Sequence, residues 1–423
     1  MRSNVVCHAS GLTQTGEVCA VWINASYLPA DAFLVRRLSR QSRLMAPLSF
    51  GAAALVASGM IATAPVSVAA IAPMTRTAAA VHVPCAPISV ENSVRLGPGS
   101  ITAPSHGTSV FVYTMYHLKA GQTLLLEPGV YNIGYMLLRG IDRGLRGAAN
   151  GTPTARITVA SASCGSRAVI QGSLLATGLK YWTFTQLVFH ATRLGKPALL
   201  MDGGVGWTLS FSEIFGAAQT GAFSNLAITG SGGTPRNFLV TQNCVHNAAL
   251  SNRGNADHNI YVAYQGTAAS GGVISRNTIL NAPKGAGIKL GNGGVTGALG
   301  PWNVMVLANT FISNGRQVLL HGNIRGNKVI GNLLYRATAP FNSDPRTTQV
   351  YVNGRLGAGN TIANNYAFSS SMFTFDPNRS VAYAHDPLYT APAYNPAFRG
   401  ATCNTFVPMN PKATPYGRYG KIS

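Results

Sequence analysis

Four aliphatic runs share one pattern: NIYV at 259–262, GIKL at 287–290, QVLL at 317–320 and QVYV at 349–352. Read as strands, they send alternate side chains to opposite faces. Ile260, Ile288, Val318 and Val350 form one column, with Val262, Leu290, Leu320 and Val352 in a second. Both columns are purely aliphatic and belong inside. The opposite parity faces out: Asn259 and Tyr261, Gly287 and Lys289, Gln317 and Leu319 followed by His321, then Gln349 and Tyr351. At the usual strand spacing of about 4.8 Å, Tyr261 and Lys289 are near-contact neighbours. His321 follows one strand further on and one register along, and His258, just before its strand, stands at the groove's edge.

This set suits β-elimination on a uronic acid polymer. The reaction needs a cation on the carboxylate to acidify the C5 proton, a base to remove that proton, and an acid for the leaving oxygen. Lys289 is the base if its surroundings lower its pKa, or else the carboxylate neutraliser. Tyr261 or His258 serves as acid or base, and His321 completes the catalytic candidates. Arg253 and Arg276 are candidates for carboxylate binding, with Asn259, Gln317 and Tyr351 along the substrate. Asp257 either orients the His258 imidazole or caps the turn before the strand. The bland alternative is a solvated face that Lys289 and Tyr261 merely decorate.

What the repeats lack narrows the chemistry. Hydrolysis by facing carboxylates needs two or three acids together, and the repeats supply Asp202, Glu213, Asp257 and Asp344, each isolated. SHG at 105–107 has no acidic company. Calcium sites cluster acidic oxygens, and the six cysteines show neither CxxC nor Cys/His metal spacing. No metal and no cofactor is expected.

The element that must position these residues is a repeat. Short β-branched runs keep ending in Asn: FLVTQN at 238–243, VISRN at 273–277, MVLAN at 305–309, VIGN at 329–332 and TIAN at 361–364. Their Asn residues, 243, 277, 309, 332 and 364, are spaced by 34, 32, 23 and 32. WTFTQL at 182–187 and WTLSFS at 207–212 read as earlier copies of the strand. Stacked coils bury an apolar face that no coil buries alone, and amides in register hydrogen-bond from coil to coil. The unequal steps imply loops inserted in some coils. Amphipathic helices, which a globular parallel α/β fold needs between strands, are not visible. A sandwich gives no reason for a repeating Asn. The predicted class is therefore all-β, a right-handed parallel β-helix (a single-stranded solenoid) with irregular terminal caps. Its expected divisions are 1–70 for targeting, 71–110 as N-terminal cap, 111–370 as helix and 371–423 as C-terminal cap or tail.

AGQTLLLEPGVYN at 120–132, GTPTARITVASASCGSRAVIQG at 151–172, DHNIYV at 257–262 and GAGIKLG at 285–291 carry a resemblance. Over roughly residues 110–370 the chain resembles the right-handed parallel β-helix superfamily of polysaccharide lyases and related proteins. The first motif looks like the opening coil of chondroitinase-B-like and alginate-lyase-like members. The resemblance implies the fold. For activity it implies only a group, because such coils also occur in epimerases, hydrolases and phage adhesins.

Charge and targeting set the context. Arg36, Arg37, Arg40 and Arg43 precede an uncharged stretch from Leu44 to Thr75, with small residues at Ser67-Val68-Ala69. That layout predicts a signal peptide cleaved near Ala69 or Ala70. An uncleaved anchor is the alternative, opposed by Pro47, Pro65 and Pro73. The 35 residues upstream leave a start later than Met1 open. Without residues 1–70, Lys plus Arg falls from 32 to 27 and Asp plus Glu from 11 to 9, so the net charge is +18. Such a field attracts polyanions. On an exported protein, an acidic polysaccharide or anionic cell surface fits better than nucleic acid. The expectation is a secreted monomer, off the membrane after cleavage, acting on an acidic polysaccharide as a lyase or C5-epimerase. The alternative is a non-catalytic carbohydrate binder or adhesin. Cys85, Cys164, Cys244 and Cys403 follow the signal. Cys85 is expected to pair with Cys164 or Cys403, and Cys244 to stay a free core thiol.

Overall fold

The strands form because β-branched and aliphatic residues alternate over three to six positions and then stop at a residue that tolerates a left-handed backbone. The computed structural model describes residue 85 and residues 87–101, 109–140, 147–248, 257–291, 299–338, 340–341, 344–353, 356–368 and 371–374, with 398–399, 403, 407–408, 413 and 415–418 of the tail. One sheet stacks ten strands, from Ser93–Leu96 through Trp182–Thr185, Arg236–Thr241 and Gly271–Ser275 to Thr361–Ala363. Each pairs in parallel with the strand one coil away. A second sheet bends through two faces. One face carries short strands such as Cys244–His246, Thr278–Leu280 and Thr310–Ile312. The other, here the wall, carries Ser224–Thr229, His258–Ala263, Ala286–Leu290, Arg316–His321 and Asp344–Asn353. The chain is a parallel β-helix, right-handed like parallel crossovers generally.

The interior is as the alternation requires. Ile260, Ile288, Val318 and Val350 pair in register and are fully buried, and Val262, Leu290 and Leu320 run beside them. Trp182 stands on the same sheet as Trp207's coil, as the sequence copies imply, and both indoles are buried.

Amides close the corners. Asn243 Nδ2 donates to Asn277 Oδ1 at 3.0 Å, Asn277 to Asn309 at 2.9 Å, Asn309 to Asn332 at 3.1 Å and Asn332 to Asn365 at 2.7 Å. Each Oδ1 also accepts the backbone N–H of the amide residue one coil back. The last rung is Asn365, not Asn364 as the TIAN run suggested. Asn364 instead holds the left-handed turn before the rung, with φ 49°, as Gln242, Arg276, Ala308 and Gly331 do before theirs. The final step is thus 33 residues.

Three features depart from expectation. The solenoid starts inside the segment assigned to the cap, since Ser93–Leu96 already pairs with Thr123–Leu126. A helix, Val110–His117, follows it and buries Phe111 and Met115 in the core cluster. Second, Cys244 is not a free thiol: it bonds Cys403, while Cys85 bonds Cys164. Third, Cys403, Gly417 and Arg418 of the tail fasten to the side of the stack. Arg418 Nη1 donates to Thr278 Oγ1 at 3.2 Å, and Gly417 N–H donates to Gly331 O at 2.9 Å. Residues 1–70 lie outside the described residues.

Asn309→Ala removes a side chain that donates to Ile274 O and Asn332 and accepts twice from Asn277, all fully buried. Stranding these groups is expected to cost at least about 3 kcal/mol. Urea unfolding with an unchanged m-value measures it, and a loss under about 1 kcal/mol contradicts the ladder's role.

Candidate functional site

The wall presents its chemistry through a bend. In the strand His258–Ala263 two successive side chains, Asn259 and Ile260, turn inward. Ile260 joins the core, and Asn259 enters a second amide network at the corner. The residues on either side, His258 and Tyr261, therefore leave the wall on its outer side. Their rings stack, with centroids 5.8 Å apart and planes at 24°, and Phe223 meets Tyr261 edge-on at 5.4 Å. Tyr261 pairs in register with Lys289, whose Nζ sits 5.1 Å above the phenol ring. That position suits a cation on the negative face of a π-system. Burial lowers the Lys289 pKa from its ordinary value. The next coil places Leu319 opposite Lys289, and the one after places Tyr351 opposite Leu319. His321 ends its strand two residues beyond Leu319 on the same side, half-buried and in register with Asn353.

Arg316 is the group that sequence reasoning missed. It opens the strand Arg316–His321, is 1% exposed, and holds its guanidinium 5.3 Å from the Tyr351 ring. It shares a column with His258, because Ala286 N–H donates to His258 Nδ1 at 3.0 Å and Ala286 pairs with Arg316. The strand alignment contained this column, but with the aliphatic runs counted from Gln317, Arg316 fell one residue outside.

Other candidates sit differently. Asn259 and Gln317 do not face the solvent: both are fully buried. Asn225 donates to Asn259 at 3.0 Å, Asn259 to Asn314 at 3.0 Å and Asn314 to Gln317 at 2.7 Å, and Gln317 donates on to Tyr335 O. Gly287 explains this reach across coils. A Cβ there would lie 3.0 Å from Asn314 Nδ2, so the missing side chain admits the Asn314 amide. Arg276 is exposed at the other corner with φ 54°, next to the ladder residue Asn277 and away from the wall. Arg253 lies outside the described residues. His258 is not at a groove edge but 1% exposed within its strand.

The backbone of the following coil already engages one nitrogen of His258. Nδ1 accepts from Ala286, so the neutral ring carries its proton on Nε2, and Asp257 does not orient it through Nδ1. Burial first, then Lys289 and Arg316, push its pKa well below the ordinary value. The site is a strip of two cations on two tyrosine faces beside a neutral histidine. From His258 to Ser343 the sequence has no Asp or Glu, against Arg276, Lys284, Lys289, Arg316, Arg325, Lys328 and Arg336. Among the described residues no group of three or more His, Cys, Asp or Glu is placed to hold a metal.

No protein-family model and no curated sequence matches the chain. Solved structures do. A pectate lyase, Pel9A, is 15% identical over 74% of this chain and 84% of its own, with a TM-score of 0.40. The Dettilon tailspike protein is 14% identical over 71% and 68%, with a TM-score of 0.41. An alginate lyase from Paenibacillus sp. str. FPU-7 is 17% identical over 66% and 97%, with a TM-score of 0.33. The fold itself rests on the strand pairing described above.

Because the folded His258 binds its proton less readily than the unfolded chain, stability is expected to fall as pH drops below about 6.5, by up to about 1.4 kcal/mol per unit. His190 is also pushed down by burial, so the difference between wild type and His258→Gln is the measure. Urea midpoints at several pH values should show the variant losing less stability in acid. Parallel pH curves would refute the assignment.

Proposed function

We propose that the protein is an exported β-helix enzyme that cleaves an acidic polysaccharide by β-elimination at uronic acid residues. The observation that carries this reading is the pairing of Lys289 on Tyr261 with Arg316 on Tyr351 across four successive coils of one wall. Arg316 is permanently charged and neutralises the uronate carboxylate. Lys289, its pKa lowered by burial, takes the C5 proton. The C–H electrons form the C4–C5 double bond, the C4–O4 bond breaks, and Tyr261 protonates the departing oxygen. The products are an unsaturated uronate end and a new reducing end. Export agrees with two disulfides in a chain whose segment 1–70 reads as targeting.

A second reading has its own support. Arg325 stands 5.0 Å over Trp302, and Arg336 5.9 Å over Tyr335. Cations on rings thus recur on other parts of the stack as well, and such surfaces hold a polyanion without breaking a bond. An adhesin-like binder works this way.

Purified protein incubated with alginate, polygalacturonate and glycosaminoglycans is expected to generate the ultraviolet absorbance of a conjugated uronate on at least one of them. Lys289→Ala should slow that reaction by about a hundredfold or more, the usual worth of a positioned base. Retention of a polyuronate with no absorbance on any substrate selects the binder.

A further inference from the structure

Two buried polar atoms beside the cationic strip have no hydrogen-bond partner among the described residues: His258 Nε2 and Ser224 Oγ. Their residues are 1% and 0% exposed and occupy the same register position on adjacent coils. Stranding a buried polar group costs about 1–3 kcal/mol, so a pair of them in register next to a candidate site calls for an occupant.

The chemistry of the pair is specific. Ser224 and His258, with Asp257 next in sequence, have the composition of a nucleophilic triad, but the proton placement is wrong for one. The triad needs a bare Nε2 to take the serine proton and an Nδ1–H held by the acid. Here Nδ1 accepts the Ala286 N–H, which leaves Nε2 a donor. Both atoms therefore have a hydrogen to give: an N–H on the neutral ring, and a hydroxyl with no recorded partner. Lys289 and Arg316 act electrostatically on the same imidazole, so the local potential favours an acceptor that is negatively charged.

We infer that Ser224 and His258 form an uncharged donor subsite for a second carboxylate of the polyuronate, one coil before the Lys289 position. The inference rests on the proposed function and goes beyond it by assigning His258 to substrate positioning. A neutral donor suits this place, because a third cation beside Lys289 and Arg316 would raise the cost of burial. It also makes carboxylate recognition independent of histidine titration.

The test is affinity electrophoresis through gels containing polygalacturonate or alginate, with dextran as the uncharged control. Three variants are compared, and each fold is checked by thermal melting. His258→Asn keeps an acceptor where Nδ1 meets Ala286 but removes the distal donor. His258→Gln places an amide N–H near the Nε2 position. Ser224→Ala deletes the hydroxyl. Wild type should be retarded by a polyuronate and not by dextran. His258→Asn should weaken retention about tenfold or more and Ser224→Ala several-fold, the worth of hydrogen bonds to a charged acceptor. His258→Gln should restore retention to within about threefold. If wild type binds and all three variants bind equally well, the pair holds structural water only and the subsite is wrong, while the proposed function stands. If wild type binds no polyuronate, both fall. Should His258→Asn fail to fold, Ser224→Ala decides.

Discussion

A backbone N–H that leaves water at a tight corner must find an acceptor, and in this solenoid the acceptor is an amide side chain from the next coil. Each ladder asparagine takes the N–H of its predecessor and donates to a carbonyl of the preceding coil, as Asn277 does with the Asn243 N–H and Val240 O. The left-handed residue before each rung swings the chain around the corner and sets the direction of the short strand that follows. Register follows from this. The stacking of amides on amides keeps Ile260, Ile288, Val318 and Val350 in one row, and so keeps Tyr261 beside Lys289.

The second corner shows the same constraint met with fewer parts. Its network runs from Asn225 through Asn259 and Asn314 to Gln317, and the coil between Asn259 and Gln317 places Gly287 where its neighbours place an amide side chain. Because the amide must point inward at the start of the wall strand and the next residue belongs to the core, the residue before the amide is thrown outward. That is how His258, Tyr261 and Arg316 reach one face despite spacings that simple alternation does not predict. The arrangement of cations and rings on the wall is a by-product of satisfying a corner.

This explains what could be read from the chain and what could not. The aliphatic columns and the coil-to-coil contact of Tyr261 with Lys289 follow from a period of two, which the pattern of Ile, Val and Leu displays directly. Asn259 and Gln317 were misplaced because two adjacent residues turn inward at a corner, which strict alternation does not allow. Asn364 was mistaken for Asn365 because two asparagines stand together, and only backbone torsion separates the turn residue from the rung. His258 had the right type for acid–base work, but its tautomer depends on an amide of the following coil, 28 residues away. The partner of Cys244 was hidden for a similar reason: Cys403 is 159 residues distant, in a tail with no repeat to place it.

That last bond has a consequence for how the molecule is assembled. Cys244 belongs to the middle of the stack, whereas Cys403 and Arg418 come at the end of the chain, and Arg418 touches Thr278 and Gln242 across more than 100 residues. Each coil needs only its neighbour to form, so the stack can grow in order of synthesis. The tail can then be fastened only to coils already in place. A chain interrupted before residue 403 would hold a complete middle with its side seam open, a piling of layers without its closing stitch.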